Sequence, residues 1–424
     1  MGSERNIAVV ARLKELTASQ ATFESKIGEM LVFFNTEVMP RWGILGSVVP
    51  EFAERSVWPR PSWDDLNETL DPVVKCAKLC EEAAALTEDP ILRQYITLCN
   101  FFSAGMFAIM SENEKWSAIV PGEPALVEAV NAYEYHTHGP VHKSVGNKYD
   151  YFRACAWINV PGLHYGALDV VHTWCEKATG AWLERGIAKS HNYGDDTEIQ
   201  WLLNGAIPVL LLLGERTKTA SLLAAAGFGW DDVAFDAWWP AYDEMFGALG
   251  TAPKAPFHAI IKLEIFLASP DGALDPAEVM AWLPSPTELG ELDKPWMVST
   301  FALCNVTAFG ARAYERLGED EKAAETARLG VAQQKKKVVV ADCHCVLGRV
   351  AARGGDAESA EAHFRSAIDE ARTARAYVFE IIAAREWKRH VLDAAGRAAE
   401  ADAVIDAACG RMGKERATFD SLLA

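Results

Sequence analysis

Along the chain, apolar side chains recur every three or four residues. Ile7, Val10, Leu13 and Leu16, then Phe23, Ile27, Met30, Leu31 and Phe34, form the stripe that an amphipathic helix lays against a core. Helix start signals stand where such stripes begin. Asp89-Pro90 pairs an N-cap carboxylate with proline at the first helical position, and Asp275-Pro276-Ala277-Glu278 adds a carboxylate three residues past the cap. Ser62-Trp63-Asp64-Asp65 has the same form. Strand patterns are nearly missing. The best β-branched run, Val338-Val339-Val340, leads directly into Ala341 and another helical stripe. The pattern predicts an all-α chain of about sixteen to eighteen helices.

A longer period emerges in the C-terminal third. Three segments align on a glycine: Gly318 to Ala323, Gly355 to Ala360 and Gly396 to Ala401. Alanine falls five residues after each glycine. A core-type or small residue follows four later (Ala327, Phe364, Ile405), and a small one three after that (Gly330, Ala367, Ala408). Alanine at those spacings lets a second helix approach closely, and glycine permits the tight turn between antiparallel helices. The middle copy also carries Leu347-Gly348 in its first helix. Units of this kind bury their faces only by stacking on neighbours.

Leu347, Gly348, Ala360, Phe364 and Ala367 together resemble the signature of the tetratricopeptide repeat (TPR) family. The turn glycines at 318, 355 and 396 are spaced more widely than that family's period of about 34 residues, so the repeats are degenerate. A fainter echo is Leu213-Gly214-Glu215 leading to Leu222, Leu223 and Ala226. The resemblance implies a right-handed α-solenoid of helix–turn–helix, TPR-like repeats over 291–424. It leaves residues 1–290 as a less regular, all-helical region, in which tryptophans and proline-broken connections gather. Such a solenoid implies a non-catalytic interaction or scaffold protein that binds a partner protein, peptide or helix on its surface.

Composition narrows the alternatives. Lys and Arg number 41 against 59 Asp and Glu, a formal net charge of −18. That is the wrong sign for tracking phosphates or docking on an anionic membrane, so neither nucleic acid nor lipid is an expected partner. The most apolar run, Ile207 to Leu213, closes at Gly214 and is too short to span a bilayer, so no membrane insertion is expected. Nine cysteines in 424 residues are too few, and odd in number, for a disulfide scaffold. With no apolar leader after Met1, the expected setting is soluble, in the cytoplasm or another reducing intracellular compartment.

Chemistry has one candidate centre. Tyr133 to His142 holds His136, His138 and His142, with Glu134 beside them. Neutral imidazoles plus a carboxylate suit zinc or non-haem iron, so the alternative to a scaffold without cofactors is an all-helical enzyme with a His-rich, metal-binding pocket near residues 133–172. Asp64-Asp65-Leu66-Asn67-Glu68 has the shape of an aspartate-rich diphosphate motif, but capping explains it better. Asp231-Asp232 reads the same way. Cys343-His344-Cys345 looks like a ligand set, yet neighbours two apart on a helix do not face each other, so buried thiols are expected there. Trp230, Phe235, Trp238, Trp239, Tyr242 and Phe246 cluster at helical spacings and predict core packing, or in their functional form an aromatic-walled pocket.

Overall fold

A computed structural model of the chain describes residues 75, 78–86, 88, 166–185, 207–246, 254–293, 306–333 and 337–423. The chain forms two compact units, Met1–Tyr149 with Ala248–Thr251, and Asp150–Gly247 with Ala252–Ala424. In the first unit, residues 78–85 are helical and bury Leu79, Cys80 and Ala83. Residues 75, 86 and 88 also belong to the first unit, and the other described residues belong to the second.

Every regular element among the described residues is helical, so that part of the chain is all-α, as expected. The helices are α1 (Leu168–Arg185), α2 (Ile207–Leu212), α3 (Arg216–Ala225), α4 (Val233–Phe246), α5 (Lys254–Ala268), α6 (Pro276–Trp282) and α7 (Pro286–Leu292). They continue as α8 (Val306–Arg316), α9 (Asp320–Ala332), α10 (Lys337–Arg353), α11 (Ala357–Thr373) and α12 (Tyr377–Trp387). A π-helical turn, Lys388–Leu392, prolongs α12 before α13 (Ala398–Met412) and α14 (Arg416–Leu422). The β-branched run at 338–340 lies in α10. No described helix is long and apolar enough to cross a membrane.

Of the helix start signals at Ser62, Asp89 and Asp275, Asp275 lies among the described residues and the other two lie outside them. The Asp275 carboxylate accepts from Ala277 N at 3.0 Å ahead of α6. Ser285 and Glu288 close a reciprocal capping box at the start of α7. The turn glycines Gly318, Gly355 and Gly396 all have positive φ, at 77°, 80° and 68°. At Gly318 the chain bonds back in a Schellman pattern, Gly318 N to Glu315 O and Glu319 N to Tyr314 O. Gly355 and Gly396 repeat it, and so does Gly214 in the fainter N-terminal echo. Arg375 takes the same left-handed place between α11 and α12, with φ 58° on a residue that has a Cβ.

From α8 to α13 each helix packs on the one before and the one after, and the first helices α8, α10 and α12 also touch in sequence. Small residues make that possible. Ala323, Ala360 and Ala401 are fully buried, as are Ala327, Phe364, Ala367 and Ala408. A Cβ on Gly348 would stand 2.8 Å from Phe364 Cζ, and one on Gly330 would stand 2.6 Å from Cys343 Sγ, so these helices meet nearly backbone to side chain.

The packing continues upstream within the unit. Helix α5 lies against α8, and α7 against α8 and α9. The buried Asp293 carboxylate, just past α7, accepts from Val306 N at 3.1 Å and Thr307 Oγ1 at 2.8 Å, capping α8 from outside its own segment. The apolar run at 207–213 is buried throughout, and Val209, Leu212 and Leu213 share one core with Val338, Ala341 and Phe379. Phe364, Phe379 and Phe419 in that core each contribute about 1.5–3 kcal/mol by leaving water.

Candidate functional site

The face shared by α8, α10 and α12 carries charged side chains in place of apolar ones. Asp342 and Arg349 stand two turns apart on α10, and Arg312 and Glu315 one turn apart on α8. Arg349 is the centre. Its guanidinium grips Glu315 with two bonds, Nε to Oε1 at 2.8 Å and Nη2 to Oε2 at 2.6 Å. On the other side its Nη1 reaches Glu386 Oε2 at 3.2 Å. One arginine therefore ties three successive first helices together. Arg353 extends the row to Glu315 at 2.9 Å and Asp320 at 2.6 Å, and His390 on the π-turn lies 3.5 Å from Glu386.

The Glu315, Arg349 and Glu386 side chains keep only 12%, 18% and 24% of their exposure, so these pairs work in a low dielectric. Burial alone would raise the Glu386 carboxyl, but the His390 hydrogen bond and the Arg349 guanidinium outweigh it and pull Glu386 down to about 2. Glu315 is lowered in the same way, burial being overcome by Arg349 and Arg353. Asp342 goes the other way. Burial pushes its carboxyl up in spite of Arg312 and Arg349, because its Oδ2 has no hydrogen-bond partner and Arg312 Nη1 stands 4.0 Å off. Arg312 spends Nη2 on the Leu211 carbonyl at 3.0 Å, so the chain's own α2 covers this end of the row.

The aromatic cluster is a second polar-aromatic centre. Trp230 and Trp282 pack edge to face at 5.4 Å, and the Lys262 ammonium lies 4.5 Å from the Trp230 ring centroid. Lys262 is 7% exposed, pairs with Asp232 at 2.9 Å and donates to the Trp230 carbonyl. His258, one turn earlier on α5, reaches the same Asp232 oxygen at 2.8 Å. The cation between the tryptophans is thus the chain's own lysine, and the cluster fastens the 227–232 loop onto α5 and α6. Trp238 and Trp239 are buried core, as expected. The side chains of Tyr242 and Phe246 lie outside the described set.

His136, His138 and His142, with Glu134, also lie outside the described residues, as do Asp64, Asp65 and Glu68. Asp231 caps α4 through Val233 N at 3.1 Å, as its position predicts. Cys343 and Cys345 are buried, as expected. His344, between them, points elsewhere and meets His363 of α11, Nδ1 to Nδ1 at 3.2 Å. Among the described residues no group of three or more His, Cys, Asp or Glu side chains is placed to hold a metal ion.

Sequence reasoning missed Arg349, Glu315, Glu386, Lys262 and His363. A signal for the first of these existed: Asp342 and Arg349 interrupt the apolar stripe of α10 on one face, seven residues apart. Their partners had none, because they lie 34 and 37 residues away from Arg349 in sequence. Compared with models of known protein families, with curated proteins and with solved structures, the chain matches none.

Proposed function

We propose that the chain is a non-catalytic interaction or scaffold protein, a degenerate TPR-like right-handed α-solenoid over its C-terminal third that holds a partner peptide or helix. The observation that carries this reading is the row Glu315–Arg349–Glu386, which joins the first helices of three successive pairs. Interlocked side chains of this kind hold the three helices rigid beneath the exposed end of the row, and rigidity lowers the ordering cost of binding. Arg353 and Asp320, at 41% and 40% exposure, are the parts of the row open to a partner. Acidic net charge favours a basic or neutral partner segment.

Capture from native extract by the wild type and by an Arg353→Gln/Asp320→Asn variant tests the reading. The double change removes both charges together and brings no like charge against Glu315, which keeps Arg349, so the fold should persist by circular dichroism. A partner held by the wild type and lost by this folded variant supports the proposal. Identical recovery in both refutes the placing of the surface.

A further inference from the structure

His344 on α10 and His363 on α11 face each other with their Nδ1 atoms 3.2 Å apart and their rings tilted by 33°. Both are half-buried, on the two helices of the middle pair. Without a metal, such a pair needs one ring to carry its proton on Nδ1 and donate to the other. The same geometry fits a metal. Two nitrogens at this separation subtend about 100–105° at an ion with ordinary Zn–N bonds of about 2.0–2.1 Å, close to the tetrahedral angle.

We propose that His344 and His363 form a site for a divalent transition-metal ion of the zinc type, held by both Nδ1 atoms with water completing the shell, that clips α10 to α11. On binding, the Nδ1 proton of the donor ring is replaced by the metal and Nε2 of that ring takes up a proton, so both rings stay neutral. Glu370 acts on His344 and Asp356 on His363, adding negative charge that a cation prefers, while Arg328 opposes it. With only two protein ligands, the site differs from a closed structural zinc centre and keeps positions open to water or to a third donor.

The test uses the full chain stripped with a chelator and titrated with zinc chloride by calorimetry. It runs beside folded His344→Ala and His363→Ala variants and a His136→Ala/His138→Ala/His142→Ala variant. The expected result is a one-equivalent component whose affinity falls about tenfold or more in each single variant and persists in the triple variant. Nitrogen-15 spectra of the imidazoles should show zinc moving the Nδ1 resonances of both rings. Zinc binding that is unchanged in both single variants overturns the proposal. So does a wild type in which zinc leaves both Nδ1 resonances where they were.

Discussion

Replacing Glu264 by methionine removes a carboxyl from the middle of α5 and leaves a side chain of similar length. Glu264 is fully buried, and neither carboxylate oxygen has a hydrogen-bond partner. Burial pushes its carboxyl well above the usual glutamate range. Even as the neutral acid, an unbonded buried polar group costs about 1–3 kcal/mol, so the variant should be more stable by that amount in mild acid. The advantage should then grow with pH. In the window between the unfolded and folded values the native chain holds a proton that the unfolded chain has released. Wild-type stability therefore falls as pH rises, by about 1.4 kcal/mol per unit, until the folded carboxyl itself ionises. Methionine has no such dependence. Other groups titrate in the same range, but they cancel in the difference between the two proteins. Urea midpoints of wild type and Glu264→Met at a series of pH values, with matched slopes, measure that difference. A variant less stable than wild type, or a gain that stays flat with pH, refutes the reasoning.

Three further outcomes are expected. Gly348→Ala sets a methyl 2.8 Å from Phe364 Cζ, and Phe364 is itself stacked on His390 at 6.1 Å. The change should cost about 1–3 kcal/mol in chemical denaturation, and Phe364→Leu in the same chain should recover part of it. Arg375→Gly relieves a left-handed backbone at φ 58°, so the melting temperature should rise, the gain being about 1 kcal/mol. Glu380 is fully buried between Arg372 at 2.9 Å and Arg411 at 2.5 Å. Glu380→Ala should cost about 2–3 kcal/mol, below the figure for a wholly buried pair because the guanidiniums are partly exposed; urea unfolding reads it, and no loss would show the pair to be neutral.

Local features were legible in advance. Gly318, Gly355 and Gly396 could be read as turns because left-handed backbone favours glycine, and each has a positive φ. Ala323, Ala360 and Ala401 could be read as helix contacts because their spacing from those glycines repeats, and all three are fully buried. Arg375 hid an equivalent turn, since no composition signal marks a non-glycine residue in that conformation. Asp293 was equally hidden. Its carboxylate caps a helix that begins thirteen residues later, and capping rules look only at the adjoining turn.

What the sequence by itself determined, among the described residues, is the helical class, the caps at Asp231 and Asp275, the glycine turns and the small-residue seams. These depend on periodicity and backbone sterics within a turn or two of each residue. Only the tertiary structure decided which polar groups meet. Arg349 finds Glu315 and Glu386 on neighbouring first helices, Lys262 slides between Trp230 and Trp282, and His344 turns from its flanking cysteines to His363. Each of these pairings joins residues at least nineteen apart, and each depends on how two helices are rotated when their apolar faces close. The same closure decided that Glu264 is buried without a partner. An apolar stripe shows that a face will be covered, but the dielectric and the neighbours a charged group finds there arise only when the helices pack.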